Sequence, residues 1–419
     1  MLNDIPSDVL MAIFAGLPVK TLLQFMCVCK SWYAIIRDPI FITKHVNHQS
    51  TLSNNGYLAV TRRVGTFGGT CLVSLRSYEN KFREILKITI PSTKEYHKAP
   101  FRIVGSCNGV LCLNTTQIGD TNFLFNPATS EFKELPKPDY PIHVIDDEID
   151  LIGLGFGHDP ESNDYKLVRF SYSKKLRYEF YSVVDVYSLS SNSWRRKDDL
   201  VLGSVVTNSF SKGLINGNLH WGGAIGFGKT LKIHNTIIAF GIGDEVCRHI
   251  ELPKIDLDRK DWSTFVRKES LAIVICSEDD TIEGSTFSIW VMKEYGVKKS
   301  WTQQLSVGPI HAHRFVGCGR NEELLFSSSA AMFHLQQEPP HEITIDSFVG
   351  DDFIPAVEVV NHIESLVPIE GTKVRVKREL KKSWFGEDFI PSFLFLFLFP
   401  LVCFSVLPFA VNYFYEGHI

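Results

Sequence analysis

The chain opens with helical periodicity and then changes pattern. Leu10, Ile13, Phe14 and Leu17 recur at i, i+3, i+4 and i+7, the spacing of one apolar helix face. Pro6-Ser7 marks the start, with Ser7 as the expected N-cap and Asp8 in the first turn, where negative charge suits the helix dipole. Gly16-Leu17-Pro18 ends this helix. A second is expected with Leu22, Phe25, Cys29 and Trp32 along one stripe and Leu23 and Met26 beside it. Asp38-Pro39 stops the next short helix, because the residue before proline avoids the α region. Phe41, Ile42 and Val46 continue a last one. About 45 residues of short helices cannot bury this much apolar surface among themselves. Part of it must face a partner or the following domain. At about 25 cal/mol per Å² of apolar area, an interface of ordinary size is ample to drive association.

From Gly56 to Pro368 the helical period fades and short β-rich runs appear, separated by Gly, Asn, Asp and Pro. Four strand-turn-strand units look alike. They are Phe123 to Phe132, closing on Leu135-Pro136; Val184 to Trp194; Ile238 to Cys247, closing on Leu252-Pro253; and Ser288 to Gly296, closing on Trp301. They recur at roughly 50–60 residues, a period that marks blades or solenoid units. Further strands are expected at Ser106 to Cys112, Gly155 to Asp159, Tyr165 to Phe170, Asn216 to Trp221 and Leu271 to Cys276. Asn108-Gly109 and Asn216-Gly217 stand where tight hairpin turns want positive φ. The strand count favours a β-propeller of kelch-like blades over a sandwich. The expected fold class is therefore a multidomain α+β chain, a helical N-terminal module followed by a mainly antiparallel β-propeller-like domain.

Composition narrows the function. With 44% hydrophobic and 21% charged residues the 419-residue chain reads as globular, not disordered. A net charge of −4 with no basic stripe argues against a nucleic-acid partner. Nine cysteines, scattered and without a CxxC pair, fit neither a disulfide framework nor a zinc site and suggest a reducing compartment. The first ten residues lack the apolar core of a secretory signal, so the Asn114-Thr115-Thr116 sequon carries no weight.

Several motifs invite a catalytic reading and fail it. Gly223 to Thr230 fits the Walker A pattern, but a phosphate loop needs a helix after it, and the residues from Leu231 to Phe240 read as strand. His311 and His313 could share one strand face, yet no third ligand clusters with them. Asp279-Asp280 and Asp351-Asp352 read as turn residues. No catalytic residue, cofactor or metal is expected.

The run from Ile5 to Phe41 resembles an F-box. It carries the early Ile-Pro, the Ile13-Phe14 and Leu17-Pro18 turn, the Leu-Leu-x-Phe stretch, and Val28-Cys-Lys-Ser-Trp32 followed by two isoleucines. In that family the module binds a Skp-class adaptor, which joins a cullin and a RING subunit. Carried over by position, the resemblance implies adaptor contacts at Ile5, Pro6, Leu10, Ile13, Phe14, Leu17, Pro18, Leu22, Val28, Cys29, Lys30 and Trp32. Some must instead be internal; Pro6, Leu17 and Pro18 are the strongest contacts, while Trp32 and Ile36 fit either role. The phrases GSCNGVLCL, FLFNPATSEFKELP, LGFGHDPESNDYKLVRF, VDVYSLSSNSWR, GLINGNLHW, IIAFGIGDE and VVNHIESLVPI resemble the F-box-associated domain of plant F-box proteins, including the S-locus F-box group. That resemblance implies a receptor that binds an unidentified protein substrate, with ubiquitin-transfer chemistry left to other subunits. Exposed loops at Asp146–Asp150, Tyr172–Tyr181 and Asp256–Trp262 are the candidate recognition surface.

The expected layout is an F-box over 1–47, a linker with first strands over 48–99, the substrate-binding domain over 100–368, and a tail over 369–419. The tail holds Lys373, Arg375, Lys377, Arg378, Lys381 and Lys382, then the uncharged run Phe389–Tyr415. A span of about 20 apolar residues crosses a bilayer, and flanking cations would keep the domain cytosolic. Pro391, Pro400 and Pro408 weaken a spanning helix. The run therefore reads either as a tail anchor or as an appendage without a membrane role. The expected place of work is the cytoplasm or nucleus, or a cytosol-facing membrane. Two functions stand side by side: a ubiquitin-ligase substrate receptor, or a non-ligase scaffold that tethers partners through the β domain.

Overall fold

The computed structural model describes residues 6–51, 56–64, 70–78, 83–89, 101–115, 121–138, 152–175, 179–197, 204–206, 210–227, 232–257, 260–278, 284–310, 312, 314–320, 322–327, 332–335, 358–372, 374–375 and 378–380. Helical and β parts fall into two compact units, the first containing Met1–Leu52 and the second spanning Ser53–Arg378.

Among the described residues, four helices belong to the first unit: α1 (Ser7–Ala15), α2 (Val19–Phe25), α3 (Lys30–Arg37) and α4 (Pro39–Thr51). Two expectations are corrected here. Pro6, not Ser7, occupies the N-cap of α1, and no side chain caps that end. Proline's fixed φ suits a helix entry, and Ser7 is drawn into the first turn. The expected stripe from Leu22 to Trp32 is broken into α2 and α3, with Cys29 extended at the junction and its Sγ accepting from Trp32 N at 3.5 Å. Asp38 both ends α3 and starts α4: its backbone is extended before Pro39, and its Oδ1 accepts from Ile40 N at 2.7 Å.

The second unit is built from antiparallel sheets. The first sheet holds β1 (Tyr57–Val64), β2 (Thr70–Ser77) and β3 (Arg83–Thr89), so the 48–99 segment supplies three strands. The second holds β4 (Phe101–Cys107), β5 (Val110–Thr115), β6 (Asn122–Asn126) and β7 (Glu131–Glu134). The third holds β8 (Ile152–Asp159), β9 (Asp164–Lys175), β10 (Glu179–Ser188) and β11 (Ser193–Lys197). The fourth holds β12 (Ser204–Val206), β13 (Leu214–Ile215), β14 (Asn218–Phe227), β15 (Lys232–Gly241) and β16 (Cys247–Ile250). The fifth holds β17 (Asp261–Arg267), β18 (Ser270–Glu278), β19 (Ser285–Met292) and β20 (Trp301–Ile310). The sixth holds β21 (Arg314–Cys318), β22 (Leu324–Ser327) and β23 (Met332–Leu335). β24 (Val359–His362) returns to pair with β1, Tyr57 opposite His362 and Val60 opposite Val359. β25 (Val374–Arg375) then pairs with β7.

The inner strands run round a closed circuit: β4 packs on β8, β8 on β14, β14 on β17, β17 on β21, β21 on β24, and β24 on β4. This is a β-propeller, as the strand pattern predicts. Closure protects edges that an open sheet would expose. Apolar clusters fill the space between neighbouring sheets, such as Ile237, Ile250, Ile273 and Trp301 between the fourth and fifth. All four hairpins read from the sequence form, as the outer strand pairs of the second to fifth sheets.

Their shared closing residues have a shared use. Trp194 of β11 donates its indole N–H to the carbonyl of Pro136, just past β7, at 2.7 Å. Trp301 of β20 does the same to the carbonyl of Glu251, just before Leu252-Pro253, at 2.9 Å. The Leu-Pro and Trp endings alternate because one latches onto the other across adjacent sheets. Both Asn-Gly turns show the positive φ expected of them, 50° and 79° at Asn108-Gly109 and 47° and 70° at Asn216-Gly217.

Candidate functional site

In the helical unit, burial separates the carried-over positions into two sets. Leu10, Phe14, Leu22 and Trp32 are buried. Phe14 is the hub, with its ring 5.2 Å from Trp32, 5.7 Å from Phe25 and 6.4 Å from Phe41. These are core residues. His45 of α4 donates through Nε2 to the carbonyl of Leu17 at 2.9 Å, and burial lowers its pKa, so the neutral ring pins the α1–α2 turn. That turn then presents Pro18 exposed and Leu17 half-buried. Pro6, Ile13, Cys29 and Lys30 are exposed, Val28 is half-buried, and Ile5 lies outside the described residues.

The sequence reading missed three exposed apolar side chains of this unit: Val9, Tyr33 and Ile40, the last 76% exposed. Pro6, Val9 and Ile13 fall at i, i+3 and i+7, one ridge of α1. The signal was present in that spacing, but it competes with the deeper stripe through Leu10 and Phe14. Both stripes are apolar, and only burial tells which is inside.

Two largely buried polar networks tie the propeller together, one within a sheet and one between sheets. On the third sheet Arg169, Asp185 and Arg196 lie directly opposite one another on β9, β10 and β11. Asp185 accepts from Arg169 at 2.6 Å and 3.1 Å and from Arg196 at 3.0 Å. Between the third and fourth sheets Lys166 donates to Asp159 at 2.8 Å and to the Ile242 carbonyl at 2.8 Å, and lies 3.1 Å from Glu245. Burial alone would raise the Asp159 carboxyl. Hydrogen bonds from Lys166, Ser162 and the Glu161 backbone outweigh it and hold the pKa at about 2.

A third polar group sits where the inner strands meet. Arg102 of β4, Lys212 beside β13, Arg314 of β21 and Glu358 beside β24 come from four different sheets. Arg102 donates to Glu358 at 2.6 Å, and Arg314 approaches the same oxygen at 4.0 Å. Lys212 donates to the Val316 carbonyl at 2.8 Å. Sequence reasoning missed this group, since its members are spread over more than 250 residues and share no local pattern.

The other sequence candidates resolve as follows. Gly223 to Phe227 lies within β14 and Lys232 begins β15, so among the described residues strand rather than helix flanks the Walker-like segment on both sides. Asn114 of the sequon is buried, and its Nδ2 donates to Asn122 Oδ1 at 2.8 Å. Of the 256–262 loop, Asp256 is exposed, but Leu257 and Trp262 pack into the apolar core between the fourth and fifth sheets. The side chains of Tyr172–Tyr181, and Asp146–Asp150, His311, His313, Asp279-Asp280, Asp351-Asp352 and Phe389–Tyr415, lie outside the described residues. Among the described residues no helix is long and apolar enough to cross a membrane.

A small helical module with a solvent-facing apolar ridge is thus joined in one chain to a propeller whose ring is closed by β24 pairing with β1. Comparison with known families agrees. Residues 68–364 match the F-box associated beta propeller domain, and residues 2–48 match an F-box-like domain. The chain belongs to the family of F-box proteins with an F-box-associated β-propeller. Among its relatives in Arabidopsis thaliana, "F-box/kelch-repeat protein At3g23880" is 24% identical over 73% of this chain and 80% of its own length. "F-box protein At3g07870" is 28% identical over 73% of each chain. "F-box protein CPR1" is 26% identical over 72% of this chain and 73% of its own.

Proposed function

We propose that this chain is the substrate-recognition subunit of an SCF-type E3 ubiquitin ligase. Its F-box docks on a Skp-class adaptor that carries the cullin and RING subunits, and its propeller holds the protein to be modified. The chain itself does no chemistry; it sets which protein comes near the transferring subunits.

The carrying observation is the exposed ridge of Pro6, Val9 and Ile13 together with Pro18, in a unit whose own core is already filled around Phe14. Exposed apolar side chains on so small a module are covered in the working assembly. Pro6, Ile13, Leu17 and Pro18 are the contacts we assign first, with Val28, Cys29 and Lys30 at the α2–α3 junction beside them. Leu10, Phe14, Leu22 and Trp32 serve the interface only by holding its shape.

Co-expression of the full chain with a Skp-class adaptor tests this reading. Ile13→Glu puts a charge into the apolar contact and is expected to cut adaptor recovery at least tenfold, with the melting profile unchanged. Undiminished recovery with both Ile13→Glu and Pro18→Asp would remove the docking assignment.

A further inference from the structure

Pro18 creates a demand at the docking turn that α1 and α2 do not meet. A residue before proline avoids the α region, so Leu17 leaves the path of α1 before α2 begins. The backbone bonds on either side show where each helix stops. Leu17 N donates to the Phe14 carbonyl at 3.0 Å and closes α1, while Leu22 N donates to the Pro18 carbonyl at 3.1 Å and opens α2. The Leu17 carbonyl stands between the two ladders. It is taken by a side chain 28 residues further on, His45 Nε2, at 2.9 Å.

His45 is held for that task. It is buried on the inner face of α4 with Phe41, Ile42 and Val46. Its ring lies 6.0 Å from that of Phe41, and Phe41 meets Phe14 edge-on at 6.4 Å, so the hub of the core fixes where the imidazole points. A carbonyl can only accept, so Nε2 carries the proton. Burial lowers the pKa despite the opposing pull of the bond to Leu17, and the neutral ring leaves Nδ1 buried with no hydrogen-bond partner. A side chain needed only to fill this space would be apolar, like Phe41 and Ile42 beside it. Burying a second ring nitrogen unsatisfied is a cost, and what it secures is the peptide between the α1 ridge and Pro18.

We infer that His45 is a positioning residue for adaptor docking: its Nε2–H fixes the Leu17-Pro18 peptide, and with it the angle at which Pro18 stands beside Pro6, Val9 and Ile13. This rests on the reading of that ridge and Pro18 as the adaptor contact. His45 acts through the turn and does not itself touch the adaptor. Without the bond, Leu17 and Pro18 keep their apolar surface but sample several orientations, and docking must first order them.

The test compares the full chain with His45→Gln, His45→Asn and His45→Phe, each titrated with a purified Skp-class adaptor. A glutamine amide nitrogen can stand where Nε2 stands, an asparagine amide falls short of it, and phenylalanine keeps the ring but has no donor. His45→Phe and His45→Asn are expected to weaken adaptor affinity about tenfold, and His45→Gln to restore most of it. Hydrogen exchange at the Leu17 amide should quicken in the Phe and Asn variants and stay slow in the Gln variant. Should His45→Phe fail to fold, the contrast between Gln and Asn carries the same test. Undiminished affinity in all three variants overturns the role of His45 alone. So does a Gln variant as weak as the Phe variant, because the loss would then follow ring packing and not the donor. Failure of the unaltered chain to bind adaptor defeats the docking reading itself.

Discussion

His220 of β14 accepts or donates through Nε2 with the Tyr295 hydroxyl at 2.7 Å, and its Nδ1 is buried without a partner. Burial brings its pKa down to about 4 and pushes the Tyr295 phenol up to about 12, so both stay neutral. His362 of β24 is placed the same way, 3.0 Å from the Ser106 hydroxyl, with its pKa brought down by burial to about 3. In the unfolded chain both rings titrate near 6.5. Folded pKa values below the unfolded one mean that the stability is fully present above pH 6.5 and is lost as pH falls toward 4 and 3. At pH 5 each ring costs about 2 kcal/mol, since one unit of difference is about 1.4 kcal/mol. Denaturant midpoints are therefore expected to drop between pH 7 and pH 5, and His220→Gln is expected to flatten that drop. Residues of this kind are not legible in a sequence, because a histidine's burial depends on strands far away. Asn108-Gly109 was legible, because positive φ is a demand of the residue itself.

At the scale of elements, register decides which side chains meet. Pairing of β10 with β9 and β11 sets Asp185 directly between Arg169 and Arg196, while Val184 and Val186 turn to the opposite face and join the core against the fourth sheet. The alternation of Val184, Asp185 and Val186 announces a strand with two different faces. It does not announce that the polar face is also buried. Asp185→Ala removes the buried carboxylate that Arg169 and Arg196 share and is expected to cost about 3–5 kcal/mol by chemical denaturation. The misjudged elements have a similar origin. A continuous apolar stripe through Leu22, Phe25, Cys29 and Trp32 satisfies a single helix as well as two, and what breaks it is the tight packing of Phe25 and Trp32 around Phe14.

For the whole propeller, β24 is the closing piece. It pairs with β1, some 300 residues earlier by the numbering of its partners Tyr57 and His362. The segment after it is pinned as well: Asn126 donates to the carbonyls of Ser365 and Val367 at 3.1 Å and 2.8 Å. That gives the Asn-Pro of the second sheet its use. A chain shortened to residue 355 loses both ties and exposes the β1 edge. It is expected to melt without a sharp transition and to aggregate, whereas a chain shortened to residue 378 should melt cooperatively. Circular dichroism on heating, with light scattering, distinguishes the two.

What the amino-acid order determined by itself was whatever depends on near neighbours. The helical module came from i, i+3, i+4 spacing, the hairpins from alternation and Asn-Gly turns, and the blade-like repeat from their regular recurrence. Only the tertiary structure decided which apolar stripe of α1 faces water, why Trp194 and Trp301 answer Leu-Pro endings, and that Arg102, Lys212, Arg314 and Glu358 converge. The physical reason is one of range. Backbone sterics and periodicity act over a few residues, whereas burial and Coulomb interactions act through space and are fixed only when the ring closes.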